Sequence, residues 1–279
     1  MGSSNVIVII GCGGMGLPVA RSLGIGRQIL LADFADTSLA SAKTMLTGEG
    51  YSVSTAQVDV SNFDSVSKLA TTASSIGHIE AIVHTAGAPP TGNSTRRIFE
   101  TNLLGTANAI DAFISVAKHG TSLVVVSSMA GYLGPALEPE LERHLATAPR
   151  DQLLSHSAIE IENSDASGPP KAYGLSKRGN LLRVQAAAAD WGRVGARVNS
   201  VSPGVISTEM GRQEITSGSA VKFVLSSPAG RVGTPQDIVN AVVFLASPAS
   251  SFIIGNDILV DGGVVASLKW PKPEVETNK

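Results

Sequence analysis

The sequence has little of several residue types, and each shortage excludes a class of protein. It contains one cysteine, Cys12, so no intrachain disulfide can form, and its five histidines show no metal-binding spacing. Charged residues make up 16% of the chain and the net charge is −2, which argues against a nucleic-acid-binding surface. No apolar run is long enough to span a bilayer, and the first residues lack the basic region of a signal peptide. We therefore expect a cytoplasmic protein with neither membrane nor nucleic acid as a partner.

Hydrophobic residues are plentiful at 43% of the chain, and they fall into short apolar runs that alternate with helical patterns. Such alternation predicts an α/β protein, in which parallel strands are joined by right-handed crossovers with helices on both faces. We predict one doubly wound Rossmann fold with a parallel sheet of about seven strands, formed by residues 1–267, and a frayed tail at 268–279. The predicted strands are residues 6–10, 28–32, 52–57, 79–84, 122–126, 196–201 and 258–260.

Residues 11–16, Gly-Cys-Gly-Gly-Met-Gly, follow the first predicted strand and precede a helix. Glycines in this position let the backbone approach a pyrophosphate, which the helix N-terminus also favours. Asp33 ends the second strand, where a carboxylate can bind an adenosine ribose and repel a 2′-phosphate, although a turn residue or helix cap would look the same. We predict NAD over NADP as cofactor. The predicted contacts here are Gly11, Gly13, Gly14, Met15, Gly16, Asp33 and Phe34.

Tyr173 and Lys177 are four residues apart, which places them on one face of a predicted helix that runs to about Trp191. An ammonium beside a phenol favours the phenolate, so we expect a lowered tyrosine pKa and a candidate general acid/base. An ordinary surface helix would carry the same pair. Elsewhere, helices are predicted over residues 38–46, 98–116 and 235–246. Ser61 is the predicted cap of the helix that contains Asp64. Residues 209–229 are predicted to form a mobile loop with helical pieces.

Several motifs in chain order resemble the short-chain dehydrogenase/reductase family. They are the glycine turn, Asp59-Val60, Thr85-Ala-Gly87, Asn102, Ser127-Ser128, Tyr173 with Lys177, Arg197-Val-Asn199, Pro203-Gly204 through Thr208, Gly230 to Pro235, and Val260-Asp-Gly-Gly263. The resemblance covers nearly the whole chain. It implies a nicotinamide-dependent oxidoreductase that moves a hydride to or from a carbonyl carbon.

The resemblance also implies roles for individual residues. The catalytic group would be Asn102, Ser128, Tyr173 and Lys177: the tyrosine donates a proton, the lysine lowers its pKa and holds the nicotinamide ribose, the serine binds the substrate oxygen, and the asparagine positions a water. Asp59 and Val60 would meet the adenine. The remaining cofactor contacts implied are Ala86, Gly87, Tyr173, Lys177, Pro203, Gly204, Ile206 and Thr208.

Three features depart from the family pattern. The glycine turn is one residue short, His84 replaces a structural asparagine, and an insertion at residues 132–171 separates Ser128 from Tyr173 by 45 residues. Leu137, Leu141 and Leu145 recur every fourth residue, which predicts a short helix within the insertion. An insertion at this place is similar to the bacterial 3α-hydroxysteroid dehydrogenase/carbonyl reductases, where it obstructs a common tetramer interface and favours a dimer.

The leading hypothesis is an NAD-dependent alcohol dehydrogenase or carbonyl reductase that acts on a small-molecule substrate, with a bulky or steroid-like carbonyl compound preferred, as a homodimer or homotetramer. One alternative is a non-catalytic NAD-binding sensor or regulatory protein, which the intact Asn, Ser, Tyr and Lys set argues against. Another is an NADPH-dependent acyl-chain ketoreductase, which Asp33 without a basic neighbour argues against. The sequence does not identify the substrate, because one fold serves many substrates.

Overall fold

The computed structural model describes residues 5–271, and a seven-stranded sheet forms its centre. The strands are β1 (Asn5–Ile10), β2 (Gln28–Asp33), β3 (Ser52–Gln57), β4 (His78–His84), β5 (Ser122–Val126), β6 (Arg197–Pro203) and β7 (Asp257–Val260). They lie in the order β3-β2-β1-β4-β5-β6-β7, and every neighbouring pair is parallel. The predicted fold class is confirmed. The order reverses between β1 and β4, where ligands bind in sheets of this kind.

Helices cover both faces of the sheet. They are α1 (Gly16–Leu23), α2 (Asp36–Gly48), α3 (Phe63–Ile76), α4 (Thr95–Ile98), α5 (Gly105–Ile114), α6 (Ala130–Leu133), α7 (Pro139–Thr147), α8 (Gly168–Arg193), α9 (Glu209–Thr216), α10 (Val221–Leu225), α11 (Pro235–Ala246) and α12 (Val264–Lys269). Helices α3, α5 and α8 contribute to one hydrophobic core, and α1, α2 and α11 contribute to the other. Alternate residues of β1 point into each core, which explains why that strand is apolar at consecutive positions.

The segment predicted as one helix over residues 98–116 is wrong in its details. The structure has α4, then a π-helical stretch, Phe99–Leu104, and then α5. A π-helix carries an extra residue in its turn, and such bulges often occur at functional sites. Asn102 lies within this stretch and is buried, with 1% of its surface exposed. The apolar pattern of residues 98–116 did not indicate where this extra residue lies.

The predicted cap of α3 is also wrong by one residue. Asn62 is the N-cap, and its side-chain oxygen accepts a hydrogen bond from the Ser65 backbone N–H at 3.0 Å. The Ser61 hydroxyl instead donates to the carboxylate of Asp59 at 2.7 Å. Ser61 therefore stabilises the turn after β3, and the helix begins one residue later.

The insertion folds against α8 and forms a third hydrophobic core, in which Leu141 and Leu145 of α7 are buried. Its predicted helix is confirmed as α7, although Leu137 precedes it. Arg183 of α8 donates to the carbonyl oxygens of Ala146 and Ala148, at 3.3 Å and 2.6 Å, and so binds the end of α7. Helix α8 starts at Gly168, so the last residues of the predicted insertion belong to that helix.

The loop predicted over residues 209–229 contains two short helices, α9 and α10. Helix α12 extends to Lys269, into the predicted tail, and residues 272–279 of that tail lie outside the described residues. None of the helices within residues 5–271 has both the length and the hydropathy that a bilayer-crossing helix needs.

Candidate active site

Two clefts lie at the carboxyl edge of the sheet. The first, the glycine cleft, has a volume of about 510 Å³ and is lined by residues that follow β1, β2, β3 and β4. Most of the predicted cofactor contacts line it, namely Gly11, Gly13, Gly14, Met15, Asp33, Phe34, Asp59, Val60, Ala86, Gly87 and Thr208. The sequence predicted this grouping because carboxyl ends of parallel strands share one edge.

The shortened glycine turn forms a close contact between β1 and α1. A Cβ atom on Gly16 would lie 1.9 Å from the carbonyl oxygen of Gly11, so no larger residue fits there. Gly11 itself has φ +103°, which favours glycine. A Cβ atom on Gly13 would meet no described atom within 4 Å, since it faces open space. Helix α1 has no side-chain cap. Its Leu17 N–H donates to the Gly13 carbonyl oxygen at 3.3 Å and Pro18 has no N–H, so the Gly16 N–H is the donor of the first turn that can bind an anion.

Asp33 is held in place by the backbone. One carboxylate oxygen accepts a hydrogen bond from the Cys12 N–H at 2.7 Å, and the other accepts one from the Ala35 N–H at 3.0 Å. Each carboxylate oxygen can accept a further hydrogen bond. Asp33 therefore stabilises the turn, which is one of the alternatives that the sequence left open, and its carboxylate can also bind a diol in the cleft. Burial raises the pKa of the adjacent Cys12 thiol to about 12, with a further contribution from the charge of Asp33.

The second cleft, the tyrosine cleft, has a volume of about 450 Å³ and contains Tyr173 and Ser128. Ser128 follows β5, and Tyr173 lies in the second turn of α8. The other walls of this cleft include Pro203, the last residue of β6, and Gly204 and Ile206 after it. Residues of α9, α10 and the insertion also line the cleft. The two clefts adjoin, because Met15, Thr208 and Met210 line both.

Lys177 lies below the tyrosine and is 4% exposed. Its Nζ donates a hydrogen bond to the Val126 carbonyl oxygen at 3.2 Å and lies 5.5 Å from the centre of the Tyr173 ring. The Ser127 hydroxyl donates to the backbone carbonyl oxygen of Lys177 at 3.0 Å, which fixes α8 to the end of β5. Helix α8 therefore holds Tyr173 and Lys177 close to each other, as predicted.

The predicted fall in the tyrosine pKa is wrong for the protein without a ligand. Burial raises the pKa of Tyr173 to about 12; the Ser128 hydroxyl acts in the opposite direction, and the Glu214 charge adds a smaller rise. Burial lowers the pKa of Lys177 to about 8. Helical spacing predicts that the two groups are neighbours, but it does not predict how much water each loses on folding.

Asn102 positions the loop after β4. Its side-chain oxygen accepts a hydrogen bond from the Ala88 N–H at 2.7 Å, and its side-chain nitrogen donates to the Ala88 carbonyl oxygen at 2.9 Å. A Cβ atom on Gly87 would lie 3.2 Å from that side-chain oxygen and 3.7 Å from Lys177 Nζ. Asn102 and Lys177 thus both lie next to Gly87, and a Cβ atom there would make a tight contact with the Asn102 side chain.

Two residues that line these clefts, and one buried residue near Lys177, were not identified from the sequence as functional. Arg97 and Glu214 line the glycine and tyrosine clefts respectively, and neither belongs to a motif that the sequence analysis identified. His84, noted only as a departure, is 1% exposed, and neither ring nitrogen has a partner among the described residues. Burial, with the charge of Lys177, lowers the pKa of His84 to about 3.

Two family models match the chain. The model for short chain dehydrogenase matches residues 5–139, and that for Enoyl-(Acyl carrier protein) reductase matches residues 154–265. The short-chain dehydrogenase/reductase bsc3 of Alternaria brassicicola is 36% identical over 275 residues, which cover 95% of this chain and 97% of that protein. The chain belongs to the short-chain dehydrogenase/reductase family.

Other members of the family match over nearly their full length. The 3-alpha-hydroxysteroid dehydrogenase/carbonyl reductase of Comamonas testosteroni is 29% identical over 280 residues, which cover 95% of this chain and 98% of that protein. A solved structure of a short-chain type dehydrogenase/reductase from Mycobacterium ulcerans has a TM-score of 0.74 at 23% identity, covering 97% of this chain and 94% of that one. The structural likeness supports the fold.

Short-chain dehydrogenases/reductases are oxidoreductases that bind a nicotinamide cofactor. The glycine cleft of this chain fits such a cofactor, because open space at Gly13 and the uncapped start of α1 leave room and an N–H donor for a pyrophosphate. Asp33, fixed by two backbone N–H groups, lies at the end of the same cleft that would receive the adenosine ribose. The tyrosine cleft adjoins the other end.

Proposed function

We propose that this protein is an NAD(H)-dependent oxidoreductase that interconverts a secondary alcohol and a ketone. The observation that carries the proposal is the position of Tyr173 and Ser128 together in a cleft that joins the glycine cleft at Met15 and Thr208. A carbonyl group bound between the two hydroxyls would face the nicotinamide end of a cofactor. This arrangement supports an enzyme over a binding protein without catalytic activity.

Tyr173 is the proposed general acid and base. A phenol with a pKa of about 12 keeps its proton at neutral pH, so it can donate that proton to the oxygen of a ketone during reduction. The Ser128 hydroxyl donates a hydrogen bond to the same oxygen and stabilises its growing negative charge. The bound nicotinamide supplies or accepts the hydride.

Lys177 has two proposed tasks. Its ammonium, anchored on the Val126 carbonyl oxygen, stabilises the phenolate that Tyr173 becomes after it donates its proton. Its remaining N–H groups are available for the ribose next to the nicotinamide. Both tasks need the charged form of the lysine, whose pKa of about 8 keeps it mostly protonated at neutral pH.

The preference for NAD over NADP rests on Asp33. Its carboxylate oxygens have acceptor capacity left for the two hydroxyls of an adenosine ribose. The same negative charge repels a 2′-phosphate. The proposed cofactor is therefore NAD(H).

The lining of the tyrosine cleft supports a bulky, mainly apolar substrate. Met129, Leu133, Ala220 and Phe223 contribute side chains to it, and a steroid-like carbonyl compound is the proposed class. The name of the Comamonas relative, a hydroxysteroid dehydrogenase and carbonyl reductase, agrees with this class. Glu214 adds one carboxyl group, whose pKa burial raises.

A homodimer is the proposed assembly. The insertion covers part of α8, where Glu142 of α7 pairs with Arg178 at 2.8 Å, and this cover is what favours a dimer over a tetramer in the resembling enzymes. Light scattering on the purified protein gives the mass directly. A tetramer would contradict this part of the proposal.

The first experiment is a titration of the purified protein with NADH, followed by a panel of ketones and secondary alcohols monitored by nicotinamide absorbance. We expect saturable NADH binding and turnover of bulky hydrophobic panel members. Binding without turnover of any member would favour a non-catalytic sensor. No binding of NADH or NADPH would overturn the proposal.

A further inference from the structure

A cavity larger than either cleft lies between the insertion, α6 and α8. Its volume is about 750 Å³, and mostly apolar cavities of roughly 300–1,000 Å³ are typical ligand sites. We call it the insertion chamber, because residues of the insertion form much of its wall. Its larger apolar side chains are those of Phe99, Leu133, Pro135, Leu137, Leu141 and Leu175.

The insertion chamber and the tyrosine cleft share part of one wall. Ala130, Leu133 and Pro170 line both cavities. The Ala130 backbone N–H donates to the Ser128 hydroxyl oxygen at 3.2 Å. Pro170 precedes Tyr173 by three residues on α8, which is about one helical turn. The shared wall therefore lies next to both hydroxyls that the proposed mechanism uses.

The chamber lies away from the cofactor site. Within residues 5–271, it has no lining residue in common with the glycine cleft. A ligand group in the chamber would therefore be on the substrate side of the tyrosine cleft. A change in the chamber can alter substrate binding while cofactor binding stays the same.

Hydrogen bonds hold the walls of the chamber in place. The Thr95 hydroxyl donates to the Asn163 carbonyl oxygen at 2.5 Å, and the Asn163 side chain donates to Glu160 at 2.8 Å. On the other side, Arg178 of α8 pairs with Glu142 of α7 at 2.8 Å. The insertion is thus fixed to both α4 and α8, and the chamber is a preformed space.

The polar groups of the chamber do not need a polar ligand. Its charged residues are Glu160, Lys171 and Arg178; the first and the last have hydrogen-bond partners, and Lys171 is exposed to solvent. Among the described residues that line it, no side chain has a buried polar atom without a partner. An apolar group can therefore enter without leaving a polar group unpaired, which would be costly.

We propose that the substrate is an elongated apolar ketone or secondary alcohol whose remote part lies in the insertion chamber. Its oxygen is held by Tyr173 and Ser128, and its apolar chain or ring system passes the shared wall formed by Ala130, Leu133 and Pro170. The inference rests on the proposed function, and it adds the shape of the substrate to it. Burial of each methylene is worth about a threefold to fourfold gain in affinity, so the chamber selects for length.

The test uses a series of methyl ketones whose unbranched chain grows from ethyl to decyl, reduced with NADH. For the parent, kcat/KM should rise about twofold to fourfold with each added methylene until the chamber is filled. Gly134 lines the chamber with an extended backbone, φ −77°, and a Cβ atom there would meet no described atom within 4 Å. Gly134→Phe can therefore occupy the chamber without backbone strain.

Gly134→Phe should lower kcat/KM for the decyl ketone about tenfold or more, the effect of excluding two or more methylenes, and change the ethyl ketone less than about twofold. Ala158→Trp, on the insertion side of the chamber, should act in the same way. The matched control is Gly48→Phe, at an exposed position of α2 where a Cβ atom also meets nothing within 4 Å. It should leave the whole series unchanged, and all three variants should keep the parent's affinity for NADH.

The inference would be overturned if the parent's kcat/KM did not depend on chain length, or if both filling variants slowed the ethyl and decyl ketones equally. It would also be overturned if Gly134→Phe changed the mass of the assembly in light scattering and left the kinetics intact, since a second copy of the chain would then cover the chamber. In these cases the ethyl ketone is still reduced, so the proposed oxidoreductase function stands. If the parent reduces no ketone, the inference and the proposed function fail together.

Discussion

The two clefts at the carboxyl edge of the sheet are built from different parts of the chain. The glycine cleft is walled mainly by short turns that follow β1, β2, β3 and β4, where strand register fixes each residue. The tyrosine cleft also takes residues from strand ends, chiefly those after β5 and β6, but many of its walls come from α8, α9, α10 and the insertion. The sheet therefore determines the cofactor end, and helices and the insertion determine much of the substrate end.

The ionisable groups of the two clefts differ in the same way. In the glycine cleft, Asp33 is held by hydrogen bonds from the backbone N–H groups of Cys12 and Ala35. Around the tyrosine cleft, burial shifts the pKa values of Tyr173, Lys177 and Glu214, and His84 lies buried near the lysine. We therefore expect pH to act on this protein through the catalytic end, and cofactor choice to depend on the adenosine end. The variants below test this division.

Tyr173→Phe is expected to have the largest effect. Loss of a general acid/base should lower turnover about 100- to 10,000-fold. NADH binding should be nearly unchanged, because the glycine cleft does not include this hydroxyl. Steady-state kinetics and a cofactor titration measure the two effects separately.

Tyr132→Phe is the matched control, since it removes a hydroxyl that donates to Asp257 at 2.7 Å and does not line the tyrosine cleft. It should retain turnover. Full activity in Tyr173→Phe would contradict the mechanism, and a loss of NADH binding would contradict the separation of the clefts.

His84→Asn should reduce the loss of stability in acid. The folded protein holds His84 neutral with a pKa of about 3, whereas the unfolded chain binds its proton below the ordinary value of 6.5. Stability from this group is therefore full above about pH 6.5 and is lost as the pH falls toward 3. Between pH 7 and pH 4 the loss should be about 3 kcal/mol.

Urea unfolding at several pH values measures the difference, and the asparagine variant should lose about 3 kcal/mol less than the parent over that range. His119→Asn, at an exposed position, is the control. If the free energy of unfolding falls equally with pH in the parent and in His84→Asn, His84 is not held neutral.

Reduction of a ketone should slow above about pH 8. The Lys177 ammonium is present below its pKa of about 8 and is lost as the pH rises through that value. The kcat/KM for reduction should then fall about tenfold for each further pH unit, since this parameter reports the free enzyme. A profile that stays flat to pH 10 would contradict this role. Asp33→Ala should show the same fall in kcat/KM above about pH 8.

Of the expected effects, that of Asp33→Ala should be the smallest, and it concerns the free energy of cofactor binding. Removing the carboxylate takes away a ribose contact and a repulsion, so the ratio of NADPH to NADH affinity should rise by about a few-fold to tenfold. Paired titrations with the two cofactors measure it. An unchanged ratio would contradict the ribose role and would leave Asp33 as a turn residue alone.

The sequence predicted well wherever one short stretch contains the whole signal. The apolar run of β1 indicates a strand buried on both faces, and the glycine turn with the following helix indicates a close backbone approach. The spacing of Tyr173 and Lys177 also depends only on helix geometry. These features are local, so a single sequence is enough to predict them.

Features that depend on two distant stretches were missed or wrong. Asn102 was identified only through the family resemblance, and its hydrogen bonds with Ala88 depend on a π-helical turn that the helical pattern did not indicate. The pKa of Tyr173 moved opposite to the expectation, because the effect of burial is larger than the opposing effect of the Ser128 hydroxyl. Arg97 carries no motif, and its place over Phe34 follows from the path of the loop after β4.

By itself, the sequence determined the alternation of strands and helices, the glycine turn and the pairing of tyrosine with lysine, because strand periodicity, backbone freedom and helical spacing are local properties. Only the tertiary structure decided which charges share a cleft and which ionisable groups lose their water. The physical reason is that burial and electrostatic interaction depend on distances in space, and folding alone sets those between Arg97 and Phe34 or between His84 and Lys177.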